Sequence, residues 1–99
     1  MEKEQTDSKR NGSRRRSSFE IWSELLEVCA RTPRTQSWLR RNLRLKTSGF
    51  KDAIEFLMVR GLIKEVNNFG ALEYLTTKKG EEALLHYYKL INRFFVLDF

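Results

Sequence analysis

Between Val28 and Lys51 the chain carries seven basic side chains, Arg31, Arg34, Arg40, Arg41, Arg44, Lys46 and Lys51, and no aspartate or glutamate. Cations without a local acid are available to an external anion, and the guanidinium fork matches phosphate oxygens in shape as well as charge. The chemistry on offer is recognition of a polyanion. Thr47 and Ser48 lie between Lys46 and Lys51, and hydroxyls beside ammonium groups form a set that can read base edges as well as phosphates. Asp52 and Glu55 repel phosphate and limit the patch, with Lys51 to Glu55 spaced as an intrahelical pair. Catalysis finds no comparable set. One histidine (His86) and one cysteine (Cys29) cannot assemble a Cys/His zinc site or an intrachain disulfide. There is no nucleophile and base arrangement, paired carboxylate or glycine-rich phosphate loop, so the chain reads as non-enzymatic, with no metal, cofactor or small-molecule ligand.

The net charge is +6 over 99 residues, and it is concentrated where a binding surface needs it, which points to double-stranded DNA as the partner. Residues 1–17 contain no hydrophobic residue after Met1 and read as a disordered basic arm. Its Arg14, Arg15 and Arg16 can follow a groove or a phosphate line, or simply solubilise the chain. The same short run also fits a kinase or nuclear-import signal, a weak match.

The elements that must position these groups follow from hydrophobic spacing. Phe19, Trp22, Leu25, Leu26 and Cys29 recur with helical period after Ser17 and Ser18, predicting a first helix over 18–30. Pro33 blocks its continuation, and Thr35 is an N-cap for a second helix over 35–43 with Trp38, Leu39 and Leu43 facing inward. Phe50, Ala53, Ile54, Leu57 and Met58 mark a third helix, capped by Thr47 or Ser48 and ended by Gly61. Alternation in 62–66 and 71–76 around Asn67, Asn68, Phe69 and Gly70 predicts a β-hairpin. Lys64, Asn67 and Asn68 are its candidate DNA contacts. Phe69 is read first as a lid on the core, with a wedge between bases or a partner contact as alternatives. Trp22, Trp38 and Cys29 read as core, and His86 as a surface or interface residue.

Thr77 caps a last helix running from Lys78 toward the C-terminus. Its stripe of Leu84, Tyr87, Tyr88, Ile91, Phe94 and Phe95 is broader than one small core can cover, which points to a homodimer paired through this helix, with folding back over the same protomer's core as the alternative. The fold class is mainly α with a small β-hairpin (α+β). Residues 1–17 form the arm, 18–77 the DNA-binding domain and 78–99 the dimerisation helix.

Helix, helix, helix, hairpin, helix is the layout of a winged helix-turn-helix. The stretches PRTQSWLRRNL, FLMVRGLIKE and YLTTKKGEEALLHYYKLI resemble a family of small archaeal chromatin-associated winged-helix proteins over roughly residues 19–95. The shared motifs are the Asn-Leu closing helix two, Gly-Leu-Ile entering the wing, and Tyr-x-x-Thr-x-x-Gly at Tyr74, Thr77 and Gly80. The chain departs from the pattern at Thr76, where an apolar residue is usual, and in a longer link between Leu43 and Leu57. The resemblance implies double-stranded DNA binding, a C-terminal antiparallel coiled coil and either a chromatin role or that of a viral or plasmid regulator. The expected function is a dimeric transcriptional regulator, with an architectural DNA-binding protein or a winged-helix protein-interaction module as alternatives. No apolar run is long enough for a membrane span, so the expected place is the cytoplasm, nucleoid-associated, or the host cytoplasm for a viral protein.

Overall fold

The computed structural model describes residues 16–94. The expectations for the arm as far as residue 15, and for Phe95 and the last residues, lie outside them. Ser17 opens α1 (Ser18–Val28) through a reciprocal capping box: its hydroxyl accepts from the Glu20 N–H at 3.2 Å, and the Glu20 carboxylate accepts from the Ser17 N–H at 2.8 Å. The helix stops two residues short of the expected 30. The Cys29 carbonyl accepts from the Thr76 N–H at 3.0 Å and the Leu26 carbonyl from the Thr76 hydroxyl at 2.7 Å. A strand end thus takes over the last carbonyls of α1, and Thr76, though 4% exposed, is a satisfied buried polar group.

A two-residue strand, β1 (Arg34–Thr35), follows Pro33 and was not expected from the sequence. Thr35 then caps α2 (Gln36–Leu43), its hydroxyl accepting from the Trp38 N–H at 3.2 Å. Arg44 closes α2 in the left-handed conformation (φ 55°), and the Leu45 N–H reaches back to the Arg40 carbonyl at 2.9 Å. α3 (Thr47–Val59) begins from Lys46, which makes no side-chain cap. The expected cap at Thr47 or Ser48 is corrected: both lie inside the first turn. α3 ends as predicted, with Gly61 at φ 73° and the Leu62 N–H bonded to the Leu57 carbonyl at 2.9 Å.

β2 (Ile63–Asn68) and β3 (Ala71–Thr76) form an antiparallel hairpin, and β1 pairs with the far side of β3, giving the order β1-β3-β2. The pair Asn68↔Ala71 leaves only Phe69 and Gly70 in the turn, at φ 52° and 87°. Two central residues with positive φ are the hairpin geometry that matches strand twist. β2 therefore runs past the expected end at 66, because Asn67 and Asn68 pair as strand residues.

α4 (Lys78–Phe94) is capped by Thr77, whose hydroxyl accepts from the Gly80 N–H at 3.0 Å and donates to the Gly61 carbonyl at 2.6 Å. Gly80 is buried where α4 meets the hairpin base, and a Cβ there would overlap the Leu62 carbonyl oxygen and lie 2.7 Å from Thr76 Cγ2. The Tyr-x-x-Thr-x-x-Gly pattern acquires a physical reading: a core ring, a cap and a close approach. Tyr74 meets Phe50 edge to face at 5.7 Å, in a core filled by Leu25, Leu39, Leu57 and Ile63. Burial of each such side chain is worth about 1.5–3 kcal/mol, and this core fixes α2 and α3 to one another.

Candidate nucleic-acid interface

The turn from α2 to α3 is three residues long, so the end of one helix and the start of the other present a continuous surface. Arg41, Arg44, Lys46, Thr47, Ser48 and Lys51 are all exposed. Because the core takes Leu39, Phe50 and Ile54 from these helices, their cationic faces are left to solvent. Among the described residues the Lys46, Thr47, Ser48 and Lys51 side chains make no hydrogen bond. The first intrahelical bond of α3 is from the Phe50 N–H to the Lys46 carbonyl at 2.9 Å, leaving the N–H groups of Thr47, Ser48 and Gly49 outside the helical ladder. They point from the positive end of the helix dipole. A side-chain cap there would have taken one of them.

Arg40 shows a different kind of availability. It is half-buried, and its Nε–H is shielded from solvent without a hydrogen-bond partner. Together with Ser37, Arg41 and Leu45 it lines a recess of about 280 Å³ on the outer side of α2. A buried donor left unpaired is costly, and an anion in the recess would relieve that cost. Ser37 was missed from sequence; its spacing of three residues from Arg40, on one helix face, is the signal that could have found it.

Two predicted contacts are instead built into the scaffold. Arg34 is half-buried, with its guanidinium carbon 4.0 Å from the Trp38 ring centroid and its Nε–H donating to the Val28 carbonyl at 3.4 Å. Arg16 is ion-paired with Glu24 and donates to the carbonyls of Leu43 and Arg44, so it ties α1 to the turn. The structure presents neither as a free cation: Arg16 is held by carbonyls far along the chain, and Arg34 by a ring and a carbonyl on either side of Pro33. Arg14 and Arg15 fall outside the described residues.

The wing is not a cationic element. Lys64 is exposed, but Glu65 and Glu73 lie on the same two strands. Asn67 and Asn68 serve the turn: the Asn67 side-chain oxygen accepts from the Gly70 N–H at 2.9 Å, and the Asn68 amide donates to Glu73 at 3.2 Å. Phe69, read first as core, is fully exposed, at 102% of its reference accessibility. The core reading is corrected, because a two-residue turn directs its first side chain away from the sheet.

Of the predicted dimer residues, Leu84 packs against the core, and Tyr87 stacks on Phe19 with ring centroids 6.5 Å apart. Burial, followed by a hydrogen bond to Glu27, holds the Tyr88 phenol above its ordinary pKa. Ile91 is half-buried and Phe94 is 65% exposed. The near half of the stripe is therefore largely used within the chain. Beyond it an open apolar groove of about 340 Å³ runs between α1, α3 and α4, bounded by Phe19, Trp22, Phe56, Tyr87 and Leu90. Trp22 stacks on Phe56 at 3.8 Å and Trp38 lies beneath Arg34, so both tryptophans anchor the scaffold. Cys29 is fully buried, and desolvation pushes its thiol from 9 to about 12 despite the opposing charge of Arg34. No described helix is long and apolar enough to cross a membrane.

A sequence profile of winged helix-turn-helix proteins matches residues 15–94. The fold is similar to that of the transcriptional regulator BldR from Sulfolobus solfataricus (TM-score 0.68, 18% identity, 75% of this chain and 55% of that one). It is similar also to a probable transcriptional regulator from Pseudomonas aeruginosa (TM-score 0.61, 26% identity, 74% and 60%). A third similar structure is a variant of ZitR from Lactococcus lactis in complex with DNA (TM-score 0.54, 20% identity, 76% and 61%). The chain spans less than two thirds of the length of each of these three. No curated protein matches its sequence.

Proposed function

The chain belongs to the winged helix-turn-helix family and is a winged-helix DNA-binding protein; from this premise we propose that it acts as a homodimeric transcriptional regulator of double-stranded DNA. In this reading α3 enters the major groove, with Lys46, Thr47, Ser48 and Lys51 at the base edges and flanking phosphates. Arg40, Arg41 and Arg44 hold the phosphate backbone. Lys64 supports them from the wing, and Arg14 and Arg15 from the arm. Two copies pair through α4 using Leu90, Ile91 and Phe94, presenting their α3 helices to successive grooves about 34 Å apart. The finer kinship is with small archaeal chromatin-associated proteins and viral or plasmid regulators, on the three motifs at Asn42–Leu43, Gly61–Ile63 and Tyr74–Gly80.

The observation that carries this reading is the open start of α3. An uncapped helix N-terminus lies beside unpaired Lys, Thr and Ser side chains and next to an arginine with an unsatisfied donor. Glu substitution of Arg40, Arg41 and Lys51 together, with fluorescence anisotropy on a labelled duplex, tests it. With about six phosphate contacts per protomer the wild-type log-log salt slope is about −5 for each protomer, and about −11 for the dimer. The triple variant should lose detectable binding at moderate salt while melting as the wild type does. Retained affinity in a folded triple variant refutes the assignment. Enrichment of one motif at high salt in a binding-site selection marks a regulator, and uniform weak binding an architectural protein.

A further inference from the structure

The wing tip combines three features that the proposed contacts do not use. Phe69 is a bulky aromatic at φ 52°, in the left-handed region that asparagine and glycine tolerate far better. The two residues before it are asparagines, so a turn register with asparagine at the strained position was close at hand, yet the ring occupies it. The ring is fully exposed and touches no core residue, while Leu72 beside it is 49% exposed. The turn beneath is fixed by the Asn67 oxygen on the Gly70 N–H and the Asn68 amide on Glu73. The ring is therefore presented on a stiff mount. The charge nearest the tip is the acid Glu73, opposite Val66, and Glu65 and Lys64 follow on the next two rungs toward the hairpin base. A phosphate clamp would need cations at the apex, and there are none among the tip residues.

We infer that Phe69 is an apolar wedge that the wing drives into a base step from the minor groove, unstacking and kinking the duplex. This rests on the DNA-binding reading above. An aromatic ring recovers on a base face the apolar contact that it lacks in the free protein, and apolar wedges of this kind bend the duplex away from the minor groove. The preferred site is a pyrimidine–purine step such as TA, the most readily unstacked. Phe69 then adds sequence preference through the deformability of a step with which it makes no hydrogen bond.

The test uses the full chain and a duplex of roughly 30 base pairs containing TA steps, with 2-aminopurine replacing adenine at those steps. Unstacking brightens 2-aminopurine, and anisotropy on an end label reads binding separately. Wild type should bind and brighten the probe severalfold, and end-to-end energy transfer should report a bend. Phe69→Asn relieves the backbone strain, so it should fold at least as well and retain the salt slope. It should lose the brightening and the bend and bind about tenfold more weakly. Wild-type binding without brightening overturns the wedge and leaves the DNA reading standing. Absence of wild-type binding overturns both. A Phe69→Asn variant with unchanged brightening and bend, but weaker self-association in sedimentation, makes the tip a protein contact and also overturns the wedge.

Discussion

Replacing Gly80 by alanine separates the close approach of α4 from ordinary helix propensity. Alanine is the better helix former by about 1 kcal/mol, so propensity alone predicts a more stable protein. The added Cβ would collide with the Leu62 carbonyl oxygen and press on Thr76 Cγ2 at 2.7 Å. Leu62 can yield only by moving backbone. That carbonyl accepts the Thr77 N–H at 3.0 Å, so the movement weakens a hydrogen bond worth about 1 kcal/mol. Overpacking a tight site costs about 1–3 kcal/mol, which together with the weakened hydrogen bond exceeds the propensity gain and leaves a net loss of about 1–3 kcal/mol. At roughly 4–8 °C per kcal/mol for a domain of this size, the melting temperature should fall by about 4 °C or more. Gly49→Ala is the matched control, because nothing lies within 4 Å of a Cβ at that helical position, and a gain of up to about 1 kcal/mol is expected. Thermal and urea melts followed by circular dichroism would compare the pair. A Gly80→Ala protein as stable as wild type would mean that α4 does not seat on Leu62.

Arg44→Gly should relieve the left-handed backbone at the end of α2, raising stability by about 1 kcal/mol, while removing a phosphate contact and flattening the salt slope by about 0.9 per protomer; stability comes from melts and the slope from anisotropy. Cys29 sets a pH dependence. Its folded pKa of about 12 lies above the unfolded 9, so the native state holds the proton more tightly and the stability present below pH 9 is lost as pH rises toward 12. The full difference is worth about 4 kcal/mol. Urea melts between pH 8 and 11 should show this decline, and Cys29→Ala should flatten it. Phe94→Glu should raise the dimer dissociation constant about 30-fold or more, an effect of about 2 kcal/mol, measured by sedimentation; an unchanged association state would place the dimer contact elsewhere.

Features governed by neighbours in sequence were readable in advance. The caps at Thr35 and Thr77 and the stop at Gly61 depend on residues within a turn of themselves, and the structure has them where the pattern put them. The inward stripe of α3 was legible for the same reason. Arg16 and Arg34 were not, since Arg16 bonds to carbonyls 27 and 28 residues away and Arg34 is held by a ring and a carbonyl on either side of Pro33. In composition they look like any other basic residue of the surface. β1 has two residues, too few to alternate, and exists only because β3 offers an edge. The cap of α3 was misplaced by the usual preference for hydroxyl residues. Lys46 holds that position without a side-chain bond, which leaves Thr47 and Ser48 for the solvent face. At the wing, the two asparagines suggested the tip, but strand pairing carried past them to Phe69.

The seat of Gly80 on Leu62 also has a mechanical meaning. α4 is 17 residues long, about 25 Å, and it meets the hairpin through one glycine and the two-way hydroxyl of Thr77. Leu84 on the core and Tyr87 on Phe19 steady its middle, and each 10° of play left at the base would carry the far end about 4 Å. In a dimer joined near that far end, such play would become uncertainty in the spacing of the two DNA-reading helices. The absence of a side chain at residue 80 thus acts as a tolerance on a distance measured between half-sites, far from the glycine itself.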